Sequence, residues 1–391
     1  MRLIVPNNLK LLASKLGLMQ YARYFYMNKY FADMTSEYKK FLFTKDIPLP
    51  DSLIWEPTGK CNLRCKFCFI NFDSTTKFKE MTFEDFKIMI NKMPFIRHIN
   101  MVGGELTLRH DLVDIIKYCK DKKIQVNFIT NATIMPEKLI KDLGEFKDMT
   151  SVTVSIDGPQ EIHNKVRGWD MAYQRAMESI RLMRKEGILV NVSSVITKDT
   201  IVYLKELLEE VKKAGVNYIE LKIEKMYTKE TIEESSKILG IENTIDNFPL
   251  STGDSEMADY SFDELKIAIN EIKDTSKRIG LPYGFLPFPL AKKLEQYYYR
   301  KYKTEDHFCK HLLTPRIDCS GNFVFCFAIK KIFGNILEQS FEDIWYGKEL
   351  VEFRKKFLSS PVLPICQTCE KLVVVEEEKP KIKEENLVVN N

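Results

Sequence analysis

From residue 52 onward, short apolar runs alternate with longer stretches whose apolar residues recur every three or four positions. The runs Leu53–Glu56, His98–Val102, Ile124–Ile129, Ser151–Ile156, Leu189–Ile196 and Asn217–Ile223 predict strands. The stretches Thr82–Lys92, Asp111–Lys122, Pro136–Leu143, Met171–Lys185 and Ile201–Ala214 carry helical periodicity. Strict alternation of this kind predicts an α/β chain with a parallel sheet buried under helical crossovers. Six such units are too few for a complete eight-stranded barrel. The expected fold is a partial (β/α)6 barrel open on one side, with a doubly wound sheet as the alternative. In either case reactive residues belong at the C-terminal ends of the strands.

The pattern also divides the chain into an N-terminal helical segment (1–50), the barrel (51–225), a largely helical bridging segment over the barrel mouth (226–304), a compact Cys-rich α+β unit (305–372) and a charged tail (373–391). Charge adds one point to this picture. The whole chain of 391 residues carries only +4, too little to argue for nucleic acid, yet residues 1–50 hold eight basic and three acidic side chains. That segment includes the aromatic, basic stretch Tyr21–Phe31. It is expected to pack beneath the barrel, and its sharper alternative is peripheral membrane contact through residues 1–45. No stretch reaches the roughly 18 unbroken apolar residues that a spanning helix needs. The short apolar run at the N-terminus does not read as a secretory signal, so the chain is expected to be cytoplasmic.

Nine cysteines in such a chain call for a metal or redox reading before a disulfide one. Cys61, Cys65 and Cys68 follow the first strand. Three thiolates on one loop can ligate three irons of a [4Fe–4S] cube and leave the fourth iron open, as a catalytic metal site requires. Zinc is the bland alternative, but it normally takes four protein ligands, and no fourth Cys or His is near in sequence.

The Cys-x3-Cys-x2-Cys spacing, with Phe67 just before the third Cys, resembles the radical S-adenosylmethionine superfamily. The resemblance continues in order along residues 52–225. Gly103-Gly104-Glu105 follows the second strand, with Leu106 where the family usually has Pro. Thr130-Asn131-Ala132 ends the third strand, with Ala in place of the family's Gly. Ser155-Ile156-Asp157-Gly158 ends the fourth, with His163 and Arg167 downstream. The resemblance implies a cluster whose open iron chelates S-adenosylmethionine, reductive cleavage to a 5′-deoxyadenosyl radical, and hydrogen abstraction from a substrate. It also implies roles in holding the cofactor for Phe67 against the adenine, Gly103, Gly104 and Glu105 at the methionine amine, and Asn131, Ser155, Asp157 and Arg167 around the ribose and carboxylate. In physical terms the glycines allow close backbone approach, and Glu105 offers a carboxylate to an ammonium. A one-electron donor such as ferredoxin or flavodoxin is the implied partner.

The second group reads Cys309, eleven residues, Gly321, four residues, Cys326, and then, after 39 residues, Cys366-Gln-Thr-Cys369. Four thiols close either a zinc or an iron–sulfur site by spacing alone. The arrangement resembles an abbreviated SPASM/twitch domain of the same superfamily, which implies one auxiliary [4Fe–4S] cluster on Cys309, Cys326, Cys366 and Cys369 and two clusters in all. Cys319 is the alternative to Cys309, and Cys119 reads as core. Some sulfatase-maturing relatives carry an acidic base where this chain has Phe327, so that mechanism does not transfer. Glu220, Lys222 and Glu224 alternate along the sixth strand and could project into the barrel.

The expected function is therefore that of a radical S-adenosylmethionine oxidoreductase. Its substrate is read as a small molecule, lipid or cofactor precursor. A ribosomal peptide or protein side chain is the alternative, and a non-catalytic iron–sulfur or zinc scaffold is the reading from another class.

Overall fold

A computed structural model describes residues 7–15, 18, 47–68, 79–225, 227–241, 259–286, 290–301, 307–329 and 331–374. The aromatic stretch 21–31 and all but the first two residues of the tail lie outside them. Six parallel strands form in the expected order: β1 (Ser52–Trp55), β2 (His98–Met101), β3 (Gln125–Thr130), β4 (Thr150–Ser155), β5 (Leu189–Ile196) and β6 (Tyr218–Ile223). Each strand presents one buried apolar row to the helices, such as Leu53, Ile99, Val126, Phe128, Val152, Val154, Val190, Val192, Ile219 and Leu221. This row carries the core. The helices form where the 3.6-residue period predicts them, at 83–91, 112–121, 137–144, 172–185 and 204–213. The first of these starts at a capping box between Thr82 and Asp85.

The sheet is longer than the sequence pattern suggests. Residues 283–286, read as part of a segment over the mouth, instead form β7 (Tyr283–Leu286) and pair in parallel with β6. At the opposite edge the Cys-rich unit joins the same sheet. Its chain runs through β8 (His307–Cys309), β9 (Arg316–Ile317), β10 (Asn322–Val324), β11 (Ile332–Asn335) and β12 (Leu372–Val374). β9 pairs in parallel with β1 and antiparallel with β10, so a ten-stranded sheet runs β11-β10-β9-β1-β2-β3-β4-β5-β6-β7, while β8 and β12 pair separately. The mouth of the partial barrel and the Cys-rich unit are thus parts of one hydrogen-bonded body.

Side chains reinforce this junction. Lys92 Nζ donates to the carbonyls of Ile336 (2.7 Å), Leu337 (3.1 Å) and Gln339 (2.9 Å). Arg316 on β9 pairs with Glu56 just beyond β1. Ser320 Oγ donates to Lys79 O at 3.1 Å, and Met81 N donates to Cys319 O at 2.7 Å. Within the Cys-rich unit an aromatic core of Phe325, Phe333, Phe353 and Phe357 packs with centroids about 5 Å apart. The unit therefore has its own small core as well as a shared sheet.

Candidate active site and auxiliary centre

Cys61, Cys65 and Cys68 lie on the loop after β1, all three partly exposed and free of disulfides. The loop is held in place by backbone approach. Gly104 N donates to Thr58 O (2.9 Å), and Glu105 N donates to Lys60 O (2.7 Å). A Cβ on Gly104 would stand 2.0 Å from the Lys60 carbonyl oxygen, and Gly103 has a φ of +121°. The two glycines are therefore required by contact between two loops of the protein itself, an approach no side chain permits. Helix 160–167 fastens the other side of the Cys loop, where Lys66 N donates to Val166 O at 3.0 Å. That helix, mostly polar, carries no apolar period that would announce it in the sequence.

Glu105 is buried, and its carboxylate points into the protein. Oε1 accepts from Thr107 N (3.1 Å), Thr107 Oγ1 (2.8 Å) and Thr130 Oγ1 (2.6 Å), while Oε2 accepts from Asn131 N (2.7 Å). The carboxylate thus ties the β2 turn to the end of β3, so it serves the site through the turn it holds. Oε2 takes that single donor and keeps acceptor capacity beside it. Asn131 carries the connection onward: its Nδ2 donates to Asn62 Oδ1 at 3.0 Å and lies 4.0 Å from Cys61 Sγ. Ala132 adopts a φ of +53°, so Ala here keeps the left-handed conformation that the Gly of related motifs would supply.

Asp157 is fully buried at the end of β4. Its Oδ2 accepts from Arg167 Nε (2.6 Å) and Nη2 (2.6 Å), and its Oδ1 accepts from Val195 N (3.0 Å). Arg167 then stands 3.6 Å from Cys65 Sγ through Nη1 and 5.3 Å from the Phe67 ring. Burial alone would lower the Arg167 pKa, but Asp157 and Cys65 outweigh it and raise the value. A fixed cation therefore sits beside the thiols and the adenine-candidate aromatic, and Asp157 holds it there. His163 stays neutral, because burial, then Arg167, pushes its pKa down; its Nδ1 accepts from Asp157 N. Ser155 is half-buried at the strand's end, opposite Ser193. Cys61 is pushed up by burial, partly offset by Leu63 N donating to its sulfur at 3.5 Å.

The other face of the sheet is polar. Asn100, Asn127, Thr153, Ser155, Asn191, Glu220 and Lys222 are half-buried and share one side by strand alternation and register. This row makes a wall suited to a polar substrate. Glu220 and Lys222 pair at 3.6 Å. Glu224, on the same face just beyond β6, makes no side-chain hydrogen bond or ion pair among the described residues. Burial, then Asp259 and Asp199, raises its pKa to about 7.

Cys309, Cys326, Cys366 and Cys369 come together although 39 residues separate the second from the third. Burial raises Cys366, and the charges of Cys369, Cys309 and Cys326 raise it further; Cys309 and Cys326 shift in the same direction. Backbone N–H groups aim at three of these sulfurs: His311 at Cys309, Ile329 at Cys326 (3.1 Å) and Lys371 at Cys369 (3.4 Å). Donors so placed favour thiolates, the ligand form. Neither ring nitrogen of buried His311 has a hydrogen-bond partner among the described residues. Four desolvated thiols with N–H donors and an orphaned imidazole fit a thiolate-ligated cluster. Cys319 is elsewhere, with Asp318, Glu80 and Glu56 as its charged neighbours. Cys119 is buried on its helix. Among the described residues no group of three or more His, Cys, Asp or Glu side chains is arranged to hold a single metal ion.

Residues 55–206 match the model of the radical SAM superfamily, and residues 312–370 match that of an iron–sulfur cluster-binding domain of the SPASM type. Iron–sulfur clusters and S-adenosylmethionine are the cofactors that these domains bring. Among curated relatives, it is 30% identical over 165 residues to Fe-coproporphyrin III synthase of Methanosarcina barkeri, covering 41% of each chain. It is 25% identical over 335 residues to AdoMet-dependent heme synthase of the same organism, covering 82% of this chain and 88% of that one. The match to the first relative therefore spans about two fifths of its length. Among solved structures, Streptococcus suis SuiB bound to its precursor peptide SuiA superposes with a TM-score of 0.61 at 18% identity, covering 90% of this chain and 75% of that one. That likeness is one of fold.

Buried Glu105 and half-buried Glu224 each carry a prediction. Glu105→Ala should destabilise the protein even without any cofactor, by at least about 1–3 kcal/mol, the cost of one orphaned buried donor. Thermal denaturation of cofactor-free protein reads this directly, and an unchanged midpoint would return Glu105 to a purely ligand-facing role. Glu224 has a folded pKa raised above its unfolded value, so the folded state loses stability as pH rises from about 4.5 to about 7. Glu224→Gln should therefore raise the melting temperature at pH 8 and leave it unchanged near pH 4.5. A variant no more stable than wild type at pH 8 would mean the carboxylate is not held in its raised state.

Proposed function

We propose that the chain is an oxidoreductase that cleaves S-adenosylmethionine reductively, abstracts hydrogen from a polar small molecule, and passes an electron to one auxiliary centre. The observation that carries this reading is the convergence of Cys61, Cys65 and Cys68 with the Arg167–Phe67 pair at one end of a polar sheet face. Bound on those three thiols, a [4Fe–4S] cluster with an open iron supplies the electron and the chelation site for the cofactor. The chain's own residues then have distinct tasks. Arg167, fixed by Asp157, offers a cation to a carboxylate and a planar partner to Phe67. Gly103 and Gly104 bring backbone groups to the loop's edge. Asn131 and Ser155 supply hydrogen-bonding groups at neighbouring strand ends. The polar row from Asn100 to Lys222 receives substrate, and Glu224 can take up or release a proton there. Cys309, Cys326, Cys366 and Cys369 hold the auxiliary cluster, with Cys309 preferred over Cys319 because the other three thiols surround it. A small one-electron protein such as ferredoxin or flavodoxin is the proposed donor.

Among substrates, a small-molecule cofactor precursor is favoured by the heme synthase relative, which matches over most of both chains. A peptide substrate is the second reading, supported by the shared fold with a protein that binds a precursor peptide. No helix among the described residues is long and apolar enough to cross a membrane. The lipid and membrane-contact reading rests on residues 1–45, most of which lie outside the described chain.

Iron counting tests the two-centre proposal. Reconstituted full-length protein should carry about eight irons, and the Cys61/Cys65/Cys68→Ala variant should keep about four with cluster absorbance and no stoichiometric zinc. A colourless triple variant holding one zinc would remove the auxiliary cluster and with it the electron-accepting role.

A further inference from the structure

The charges around the four C-terminal thiols are distributed unevenly. On one side lies the aromatic core, where Phe325 packs on Phe353 at 4.7 Å and on Phe357 at 5.3 Å. On the side toward β6 and β9 stand three cations. Arg316 lies 5.8 Å from the Phe327 ring, and Lys225 Nζ lies 4.6 Å from the same ring. Phe327 directly follows Cys326, so a guanidinium and an ammonium both stand within cation–π reach of this aromatic. Lys371, two residues after Cys369, is the third cation. Arg316 acts on the Cys326 thiol, and Lys371 acts on Cys309, each favouring the ionised sulfur. Against them stands one buried acid at the centre, Glu370, which pairs with Lys225 at 3.4 Å and Lys371 at 3.1 Å. Glu56 balances Arg316 at the rim.

Building on the reading of these four cysteines as an auxiliary cluster, we propose that Lys225, Arg316 and Lys371 are positioning residues that hold its reduction potential up. They form a cationic screen on the side that faces the substrate wall, and Glu370 sets how much of that charge remains uncompensated. Reduction adds one negative charge to a cluster, and nearby cations in a partly desolvated setting stabilise that extra charge. The screen therefore makes the auxiliary centre a better acceptor for an electron arriving from the chamber. It also gives a role to Phe327, which stands where an acidic residue would bring the opposite charge. The segment just beyond β6 links the two regions. Glu224 belongs to the substrate face, Lys225 to the screen, and buried Tyr227 feels the charges of Cys369, Cys326 and Cys366.

The test is an EPR-monitored redox titration of full-length protein, in the Cys61/Cys65/Cys68→Ala background so that a single cluster is read. Lys225→Met and Lys371→Met should each move the midpoint potential to more negative values. Glu370→Gln should move it to more positive values. The double variant Lys371→Met/Glu370→Gln removes one charge of each sign and should return close to the starting potential. A purely structural role would not reverse sign between the lysine and glutamate variants. An iron-loaded protein whose potential stays fixed, or shifts one way in every variant, overturns this proposal alone. A background protein that holds no iron overturns the auxiliary-cluster reading on which it rests.

Discussion

The site depends on a backbone contact that only glycine allows. The loop bearing Cys61, Cys65 and Cys68 and the turn after β2 meet at Gly104, whose missing Cβ would lie 2.0 Å from the Lys60 carbonyl. Hydrogen bonds from Gly104 N and Glu105 N close this contact. The buried Glu105 carboxylate then extends it to β3 through Thr130 and Asn131. Three successive strand ends are thereby locked into one rigid rim before any cofactor arrives. Preorganisation of this kind lets a site hold ligands without reordering its own backbone.

From that rim, charge is placed by relay. Asp157 is fully buried, and it determines where the Arg167 cation stands, against Cys65 and Phe67. The auxiliary thiols show the same logic with opposite emphasis. There burial and mutual repulsion push the thiols up, while N–H donors and the Arg316 and Lys371 cations pull toward thiolates. Such a donor set is costly when empty and favourable once ligated. The ten-stranded sheet couples the two regions, since β9 of the Cys-rich unit hydrogen-bonds directly to β1 of the barrel.

Much of this was legible in the sequence because period and punctuation agree. β5 lies where its apolar run predicts it, and the other five expected strands differ by one residue at one end or at both. The order of Cys61, Gly103, Asn131 and Ser155 along successive strand ends is a linear signal, so it survives without structure. Orientation is not linear. Glu105 and Asp157 were found as residues, but which way each carboxylate points depends on Thr130, Asn131 and Arg167 arriving from elsewhere. β7 was missed because Tyr283–Leu286 is short and preceded by Pro282, and its pairing with β6 is a tertiary choice. Helix 160–167 was missed because it is mostly polar: of its three buried residues, His163, Val166 and Arg167, only Val166 is apolar. The joining of β9 to β1 has no local signature at all. Cys309 could be separated from Cys319 only once the sulfurs had neighbours.

The central claim is that the three-thiol loop, fixed by this rim, initiates chemistry on S-adenosylmethionine. Its most direct test is 5′-deoxyadenosine formation under anaerobic conditions by dithionite-reduced, reconstituted protein, with and without the Cys61/Cys65/Cys68→Ala change. The account predicts product from the wild-type chain and none from the variant, even though the variant keeps its auxiliary cluster. Equal amounts of 5′-deoxyadenosine from both proteins would contradict it.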